Sequence, residues 1–483
     1  MEQAREGKVA TIIAPSVGAT PVAVLGHAKE YFRLTQLGNA ERLVRQWGHQ
    51  ILHCHAWKKW LIWNGRQWAP DNDGMIHRLA TLTVRSIYNE AALAEEEESR
   101  TAIAKHAKKS ESKGEIEAMI DLARHEVPIT PQQLDISPWL FNCQNGTIDL
   151  HTGELRKHNP AERLSKISPV AFDPGARCPT WIAFLGRIFA GDEGLVTFMQ
   201  RVIGYSLTGE VTEKALFVLH GGGNNGKTTL LEAVRYIMGD YAGVVDINAL
   251  MRDASTADRQ RTVADLLGKR FVTSSETEEG HKLNEAMIKN LTGMGRQVGR
   301  RIYGSAFEFD PHFKLFIDAN HKPVIRGTDQ AIWNRIRLMP FDVAIPKEQQ
   351  DKGLLQKLRA EAPGILAWAV QGCLAWQKAG ELGSPKAMNE AVASYREEMD
   401  IVAEFVAECC EVEEGVEESA ANLYLAFQQW CEKRKEAVIS STALGRRLDE
   451  KGYLAARSSG VRKRRGLRLK EEAAVGFAQR PAA

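Results

Sequence analysis

The run Gly221-Gly222-Gly223-Asn224-Asn225-Gly226-Lys227-Thr228 constrains this chain more than any other segment. Triphosphate oxygens need several converging N–H donors, and a glycine-rich turn opening into a helix lets the backbone curl tightly enough to supply them. Lys227 then sets a point charge at the outer phosphates of ATP, and the Thr228 hydroxyl is a ligand for Mg²⁺. Thr229 completes the loop residues assigned to the nucleotide. The flanks agree. Upstream, Ala215-Leu216-Phe217-Val218-Leu219 is continuously apolar, as in a parallel strand covered on both faces. Downstream, Leu230, Leu231, Val234, Ile237 and Met238 share one helical face, and Gly239 is placed to end the helix. The expected fold class is α/β, a P-loop core with a parallel sheet.

At 483 residues the chain exceeds a single hydrophobic core, and its turn signals divide it. Residues 1–30 lack periodicity and read as a loose amino-terminal segment. Residues 31–177 read as mixed α and β. Trp60-Leu61-Ile62-Trp63-Asn64-Gly65-Arg66-Gln67-Trp68 is a hairpin signal, because Asn-Gly accepts the positive φ of a tight turn. Asn145-Gly146 and Thr152-Gly153 mark a second meander, with helices expected between, near 77–126. A helical collar is expected over 178–210, the nucleotide core over 211–346, a helical segment over 347–400, and a separate module over 401–483. In that last module, Glu432 to Lys470 holds thirteen Lys/Arg against four acids, just after the acidic run Glu411 to Glu418. No apolar run approaches the length of a membrane span, and the seven cysteines show no paired metal-type spacing. Both point to a reducing cytoplasm, with no membrane partner.

Hydrolysis needs an acid beside the loop, usually at the tip of a neighbouring strand. Arg270-Phe271-Val272-Thr273-Ser274-Ser275-Glu276 offers Glu276 as that acid and as a metal ligand, with Glu278 as the alternative. Phe313-Lys314-Leu315-Phe316-Ile317-Asp318-Ala319-Asn320 ends in an amide suited to hold an attacking water, or simply to open a turn before His321-Lys322-Pro323. Asn320 is the candidate sensor. In Arg335-Ile336-Arg337-Leu338, alternation puts both arginines on one strand face, as either a solvated edge or, since guanidinium groups suit transition-state charge on a phosphoryl, an arginine finger with Arg335 the first candidate. For nucleic acid, Lys289, Arg296, Arg300, Arg301 and Tyr303 form a basic segment with one ring, as either a single-strand tracking hairpin or a solvated loop. Arg446 and Arg447 on a helix, then Arg462 and Arg464 in a basic hairpin, give a winged-helix-like reading, against a merely solubilising tail. Trp57, Trp60, Trp63 and Trp68 read as core packing ahead of a base-stacking platform. Asp71-Asn72-Asp73-Gly74 reads as a turn.

The ordered set of the phosphate loop, Ser275-Glu276-Thr277-Glu278-Glu279, Leu291-Thr292-Gly293, Phe307-Glu308-Phe309, Asn320-His321-Lys322-Pro323, Arg326-Gly327-Thr328-Asp329 and Arg335-Ile336-Arg337 resembles the superfamily 3 helicases of phage and plasmid primase-helicases, related to the poxvirus primase-helicase. The likeness extends upstream through Asn145 to Leu150, Cys178-Pro179-Thr180-Trp181 and Gly204 to Gly209. One departure is Met294-Gly295-Arg296, where that family usually places an acid after Leu-Thr-Gly. The resemblance implies an AAA+ type core, a homo-hexameric ring around single-stranded or forked DNA, and ATP-driven 3′-to-5′ translocation. It also implies an arginine, Arg335 or Arg337, acting on the neighbouring subunit's nucleotide. The setting implied is replication of a phage or mobile element in a bacterial host cytoplasm, with a separate primase or polymerase as a possible partner, since no polymerase-type carboxylate set is evident in the chain. The competing readings are an ATP-switched origin-binding or loading factor without processive unwinding, and an RNA-directed motor.

Overall fold

The computed structural model describes residues 32–252, 254–276, 282–301, 304, 306–325, 329–434, 438–458 and 460–470, with backbone only at 276 and 458. The loose segment 1–30, Glu278 and Tyr303 therefore lie outside the described residues.

The amino-terminal part opens with the helix Gln36–Trp47 and an antiparallel sheet of β1 (Ile51–Cys54), β2 (Lys59–Trp63) and β3 (Trp68–Pro70). Asn64 and Gly65 join β2 to β3 as expected, with Gly65 at φ +90° and the Asn64 side chain accepting from the backbone of Arg66 and Gln67. Three helices follow, Met75–Ala92, Glu97–Ser110 and Lys113–Ala123; the apolar faces of the first and third close over Leu43, Ile51 and Trp60, and the second packs beside the first. Trp60 and Trp68 are buried, so packing claims them. Asp71 accepts from the backbone N–H of Met75 and Ile76, which fixes the start of a helix and accounts for the acidic turn.

The second meander, β4 (Leu140–Cys143), β5 (Gly146–Asp149) and β6 (Glu154–Arg156), turns at Gln144-Asn145, one residue before the expected Asn145-Gly146, because Gly146 already pairs with Cys143 in the ladder, and again before Glu154 with Gly153 at φ +78°. Its inward residues Phe141, Cys143, Ile148 and Leu150 join the same hydrophobic cluster as the collar helices and the nucleotide core. The same stretch also bonds back to the amino-terminal sheet, with Asn142 Nδ2 donating to Arg66 O and Trp68 Nε1 to Pro160 O.

Five parallel strands form the core: β7 (Leu216–His220), β8 (Ala242–Val244), β9 (Phe271–Glu276), β12 (Lys314–Ala319) and β13 (Ile336–Pro340), in the order β13-β7-β12-β9-β8. Alternation sends Phe217, Leu219, Phe271, Phe316 and Met339 to one face, under the helices Pro179–Ile188, Glu193–Leu207, Lys227–Met238 and Ala362–Ala379. Leu216, Val218, Val272, Leu315 and Ile317 go to the other face, packed on Ile247, Leu250, Ile288 and Tyr395. Between β9 and β12 a two-stranded hairpin, β10 (Gln297–Arg300) and β11 (Ala306–Phe309), leaves the sheet.

Two fully buried cations tie the collar to the sheet. Arg270, before β9, donates to Leu207 O (2.5 Å) and Ser137 O (3.1 Å), and Lys314 donates to the carbonyls of Thr208, Glu210 and His312. Their targets include the otherwise orphaned last carbonyls of the helix Glu193–Leu207, where the helix dipole favours positive charge. Tyr241 and Tyr205 cover the two cations with their rings.

The last module has its own core, around Phe405, Leu423, Phe427, Trp430, Leu444 and Leu467. Its order is helix Ile401–Cys409, β14 (Cys410–Ser419), helices Ala420–Arg434 and Ser441–Glu450, then β15 (Ala455–Ser458) and β16 (Val461–Leu469), with sheet order β14-β16-β15. The acidic strand pairs with the basic one: Glu417 lies opposite Arg465 and Glu411 opposite Arg468, so part of the positive charge is neutralised within the module. Among the described residues no disulfide joins any of the seven cysteines, and no helix is long and apolar enough to cross a membrane.

Candidate nucleotide site

Strand β7 ends at His220 and the helix Lys227–Met238 begins seven residues on, so residues 221–226 must reverse direction in one tight turn. They do so with positive φ at Gly223 (+64°), Asn224 (+51°) and Gly226 (+88°), backbone that glycine adopts freely and asparagine tolerates. The loop bounds a cavity of about 410 Å³ lined by Gly223 to Thr229, Ser275, Asp318 and Asn320. A second cavity of about 420 Å³, lined by Phe184, Arg187, Ile345, Gln349 and Leu354, shares Asn224, Gly226 and Thr229 with it.

Lys227 is only 3% exposed. Its ammonium donates to Gly221 O (2.6 Å), Asn225 Oδ1 (3.1 Å) and Asn320 Oδ1 (3.2 Å), which uses all three of its protons. Burial pulls its pKa below the ordinary lysine value, and the nearby Asp318 carboxylate opposes that. Thr228 Oγ1 donates to Asp318 Oδ2 at 2.8 Å. Asn225 Nδ2 donates to Phe341 O (3.1 Å), so the loop grips the chain just beyond β13.

The structure thus brings together Lys227, Thr228 and Asn320 as the sequence led us to expect. Glu276 ends β9 as the register partner of Ala319, one strand further from the loop than Asn320; its side chain lies outside the described residues. Asp318 and Ser275 were not anticipated. The signal for Asp318 is an acid directly after the apolar run Leu315-Phe316-Ile317, in a strand whose six residues are all buried.

Arg335 and Arg337 stand elsewhere. β13 starts at Ile336, so Arg335 is just outside the strand, donating to Ala331 O (2.6 Å), while Arg337 donates to Asn334 O (2.8 Å). Arg337 is level with Phe217, four residues before Gly221 along parallel β7. At a strand rise of about 3.3 Å per residue this puts the arginine end roughly 13 Å along the sheet from the chain's own phosphate loop.

Of the basic residues, Lys289 pairs with Asp329. Arg296 is exposed near Glu308 and Asp310, and Arg300 is exposed with a bond to Gly304 O. Arg301 lies over the Trp57 ring, 5.9 Å from its centre. In the last module Arg446 and Arg462 are exposed, whereas Arg447 and Arg464 are 9% and 8% exposed. Arg464 pairs with Asp449 and donates to Tyr453 O. Those two arginines, expected on the nucleic-acid face, are part of the module's packing, because helix and hairpin fold against one another across them.

The donor set suits a nucleoside triphosphate with a divalent cation: a curled glycine loop, an ammonium in the cavity wall, and a hydroxyl whose proton is held by a carboxylate. Comparison with known proteins agrees. Residues 40–190 match the family described as D5 N terminal like, and residues 219–335 match a family of unknown function (DUF5906). A "Putative helicase" of Acanthamoeba polyphaga mimivirus is 24% identical over 325 residues, covering 62% of this chain and 33% of that protein. A "Putative helicase" of Frog virus 3 (isolate Goorha) is 29% identical over 382 residues, covering 62% of this chain and 39% of that protein. This chain therefore spans little more than a third of the length of these relatives. The solved apo structure of the NrS-1 C terminal region is 11% identical, with a TM-score of 0.47 over 86% of this chain and 94% of that one. The two matched regions, in this order and with these viral relatives, place the chain in the D5-like primase-helicase family.

Proposed function

We propose that this chain is an ATP-dependent replicative DNA helicase of the superfamily 3 type, working as a hexameric ring that moves 3′ to 5′ and hydrolysing each nucleotide between two subunits. One observation carries the reading. Lys227, Thr228 and Asn320 converge on a single cavity, while the arginine pair sits at the opposite end of the same sheet, out of reach of that cavity and available to a neighbour's. The core reads as AAA+ in type, since the phosphate-loop strand lies between the arginine strand and the strand carrying the polar sensor.

ATP with Mg²⁺ supplies a labile phosphoanhydride and its charge neutralisation; the rest falls to the chain. The loop turns N–H groups and the Lys227 ammonium toward the phosphates. Asn320, bonded to that same ammonium, is placed to register whether the outer phosphate is present. Glu276, at the tip of β9, is the proposed base for the attacking water.

The helix–strand–helix–helix–hairpin order of the last module supports a winged-helix reading, with Arg446, Arg457 and Arg462 as its exposed phosphate contacts. Arg296, Arg300 and Arg301 on the β10–β11 hairpin are the proposed track for single-stranded DNA. The relatives' helicase names and the phage or mobile-element setting implied by the resemblance fit this assignment.

The test is strand release from forked DNA by the full chain with ATP, alongside Lys227→Ala. Release by the parent and none by the variant is expected. Salt-sensitive binding without release would instead support a loading factor, and full release by Lys227→Ala would sink the nucleotide assignment.

A further inference from the structure

We propose that Asp318 is the carboxylate that organises the phosphate-loop threonine, so that the cation-binding half of the site is built on β12 and not on the acid of β9 alone. The inference rests on the nucleotide reading of the loop.

A carboxylate buried in a sheet is strongly disfavoured unless something in its surroundings needs it. Asp318 has a side chain 11% exposed, in a strand otherwise made of Lys314, Leu315, Phe316, Ile317 and Ala319. Part of that need is met by Lys227, whose buried ammonium lies within ion-pair distance. Lys227 Nζ is 3.8 Å from Asp318 Oδ1, beyond hydrogen-bond range, and spends its three protons on Gly221, Asn225 and Asn320. The bond Asp318 does make is with Thr228 Oγ1, at 2.8 Å.

That bond has a chemical consequence. A hydroxyl carries one proton and two lone pairs, and acts as a cation ligand only when the proton points away from the cation. Donating it to Asp318 fixes this orientation, and the negative charge behind the hydroxyl makes its oxygen a better donor, as carboxylates do behind other metal ligands. Asp318 also lines the phosphate-loop cavity itself. The register supports the division of labour. Asp318 lies beside Ser275 of β9, which lines the same cavity and brings no competing charge, and β12 is hydrogen-bonded directly to the loop's own strand β7. Asp318 is therefore a positioning residue acting through Thr228, which leaves Glu276 free for the water.

The experiment measures binding of a fluorescent ATP analogue to the full chain with magnesium and again with EDTA. In the parent protein magnesium tightens binding. Asp318→Asn keeps an acceptor for Thr228 but removes the charge, and is expected to lose about tenfold or more of that gain, the scale of a hydrogen bond to a charged group, with little change in EDTA. Thr228→Ala loses the same gain, and the double variant loses no more than either. Asp318→Ser serves as a second neutral variant, and parental affinity in EDTA shows that a variant's site is folded. An undiminished magnesium gain in Asp318→Asn, an equal loss with and without magnesium, or additive losses in the double variant would each overturn the assignment to Asp318. A parent that binds no ATP under either condition would instead remove the nucleotide reading beneath it.

Discussion

Gly221 and Gly222 are neighbours that look interchangeable in the sequence, yet the fold predicts opposite outcomes for their alanine variants. A methyl on Gly221 would sit 2.3 Å from Phe341 O and 2.4 Å from Asn225 Nδ2; one on Gly222 would meet nothing within 4 Å. Neither residue has a positive φ, so the contrast is steric. Relief at Gly221 requires the backbone after β13 to retreat by about 1 Å, because ordinary contacts start near 3.4 Å and hydrogen-bonded ones near 3 Å. That movement breaks the Asn225 Nδ2 to Phe341 O bond. Overpacking costs about 1–3 kcal/mol and a buried hydrogen bond about 1 more, so Gly221→Ala should lose about 2–4 kcal/mol. For a cooperative unit of about 150–250 residues this lowers Tm by roughly 5–15 °C, whereas Gly222→Ala should stay within about 2 °C. Thermal unfolding in EDTA without nucleotide measures the fold, and ATP binding measures the consequence for Lys227, whose acceptor Asn225 is displaced. Equal destabilisation by the two substitutions would refute the packing argument.

Three further outcomes are expected. Arg335→Ala or Arg337→Ala should lose most ATPase activity, and mixing that variant with inactive Lys227→Ala subunits should restore a measurable part of it, because an intact arginine then faces an intact phosphate loop; no recovery at any mixing ratio would rule out action on a neighbour. Arg464→Ala should destabilise the last module by about 1–3 kcal/mol, discounted because Asp449 is 45% exposed, while Arg462→Ala leaves its melting unchanged and lowers the log–log salt slope of DNA binding by about 1. Acid should loosen the core. Burial, with Arg270 and Lys314 nearby and Asp310 opposing, holds His312 at about 4 against an ordinary 6.5. Between those values the unfolded chain binds the extra proton, so stability falls as pH drops from about 6.5 towards 4. His312→Gln should flatten that stretch of a urea-midpoint profile, leaving the part due to His53, which is also lowered to about 4.

What could be read from the sequence was local. The phosphate loop, the Asn64-Gly65 turn and the helices near 77–126 depend on neighbouring residues, and they stand where turn chemistry and periodicity put them, while the second turn falls one residue early, at Gln144-Asn145. Lys227 with Asn320 was legible because each ends a recognisable run. Properties that depend on long-range packing were hidden. Nothing local separates Arg462 from Arg464: one is exposed and the other buried only because the helix Ser441–Glu450 folds back over β16. The packing of β4–β6 was hidden for the same reason, since nothing local to the meander shows that its apolar face meets the collar. Asp318 follows an apolar run with no local sign of a role, because its partner Thr228 is 90 residues away.

The loop's grip on β13 gives the ring reading a physical link between sites. Asn225 Nδ2 bonds Phe341 O, the Phe341 N–H bonds His220 O at 2.8 Å, and the Ile345 N–H bonds Asn224 O at 2.8 Å, so the loop is fastened on both sides to the segment that leaves β13. At its other end that strand carries Arg337, with Arg335 just before it. β13 is an edge strand paired only with β7, so a displacement at Phe341 is opposed by one ladder of hydrogen bonds instead of two. Lys227 shares Asn225 with this connection, and phosphates that drew its ammonium away would release the Asn225 side chain to re-pair. In a ring, the nucleotide in one subunit would thereby bias the arginines it offers to the next. Linkage makes the coupling reciprocal: arginine engagement must alter the affinity of the offering subunit's own site by the same factor.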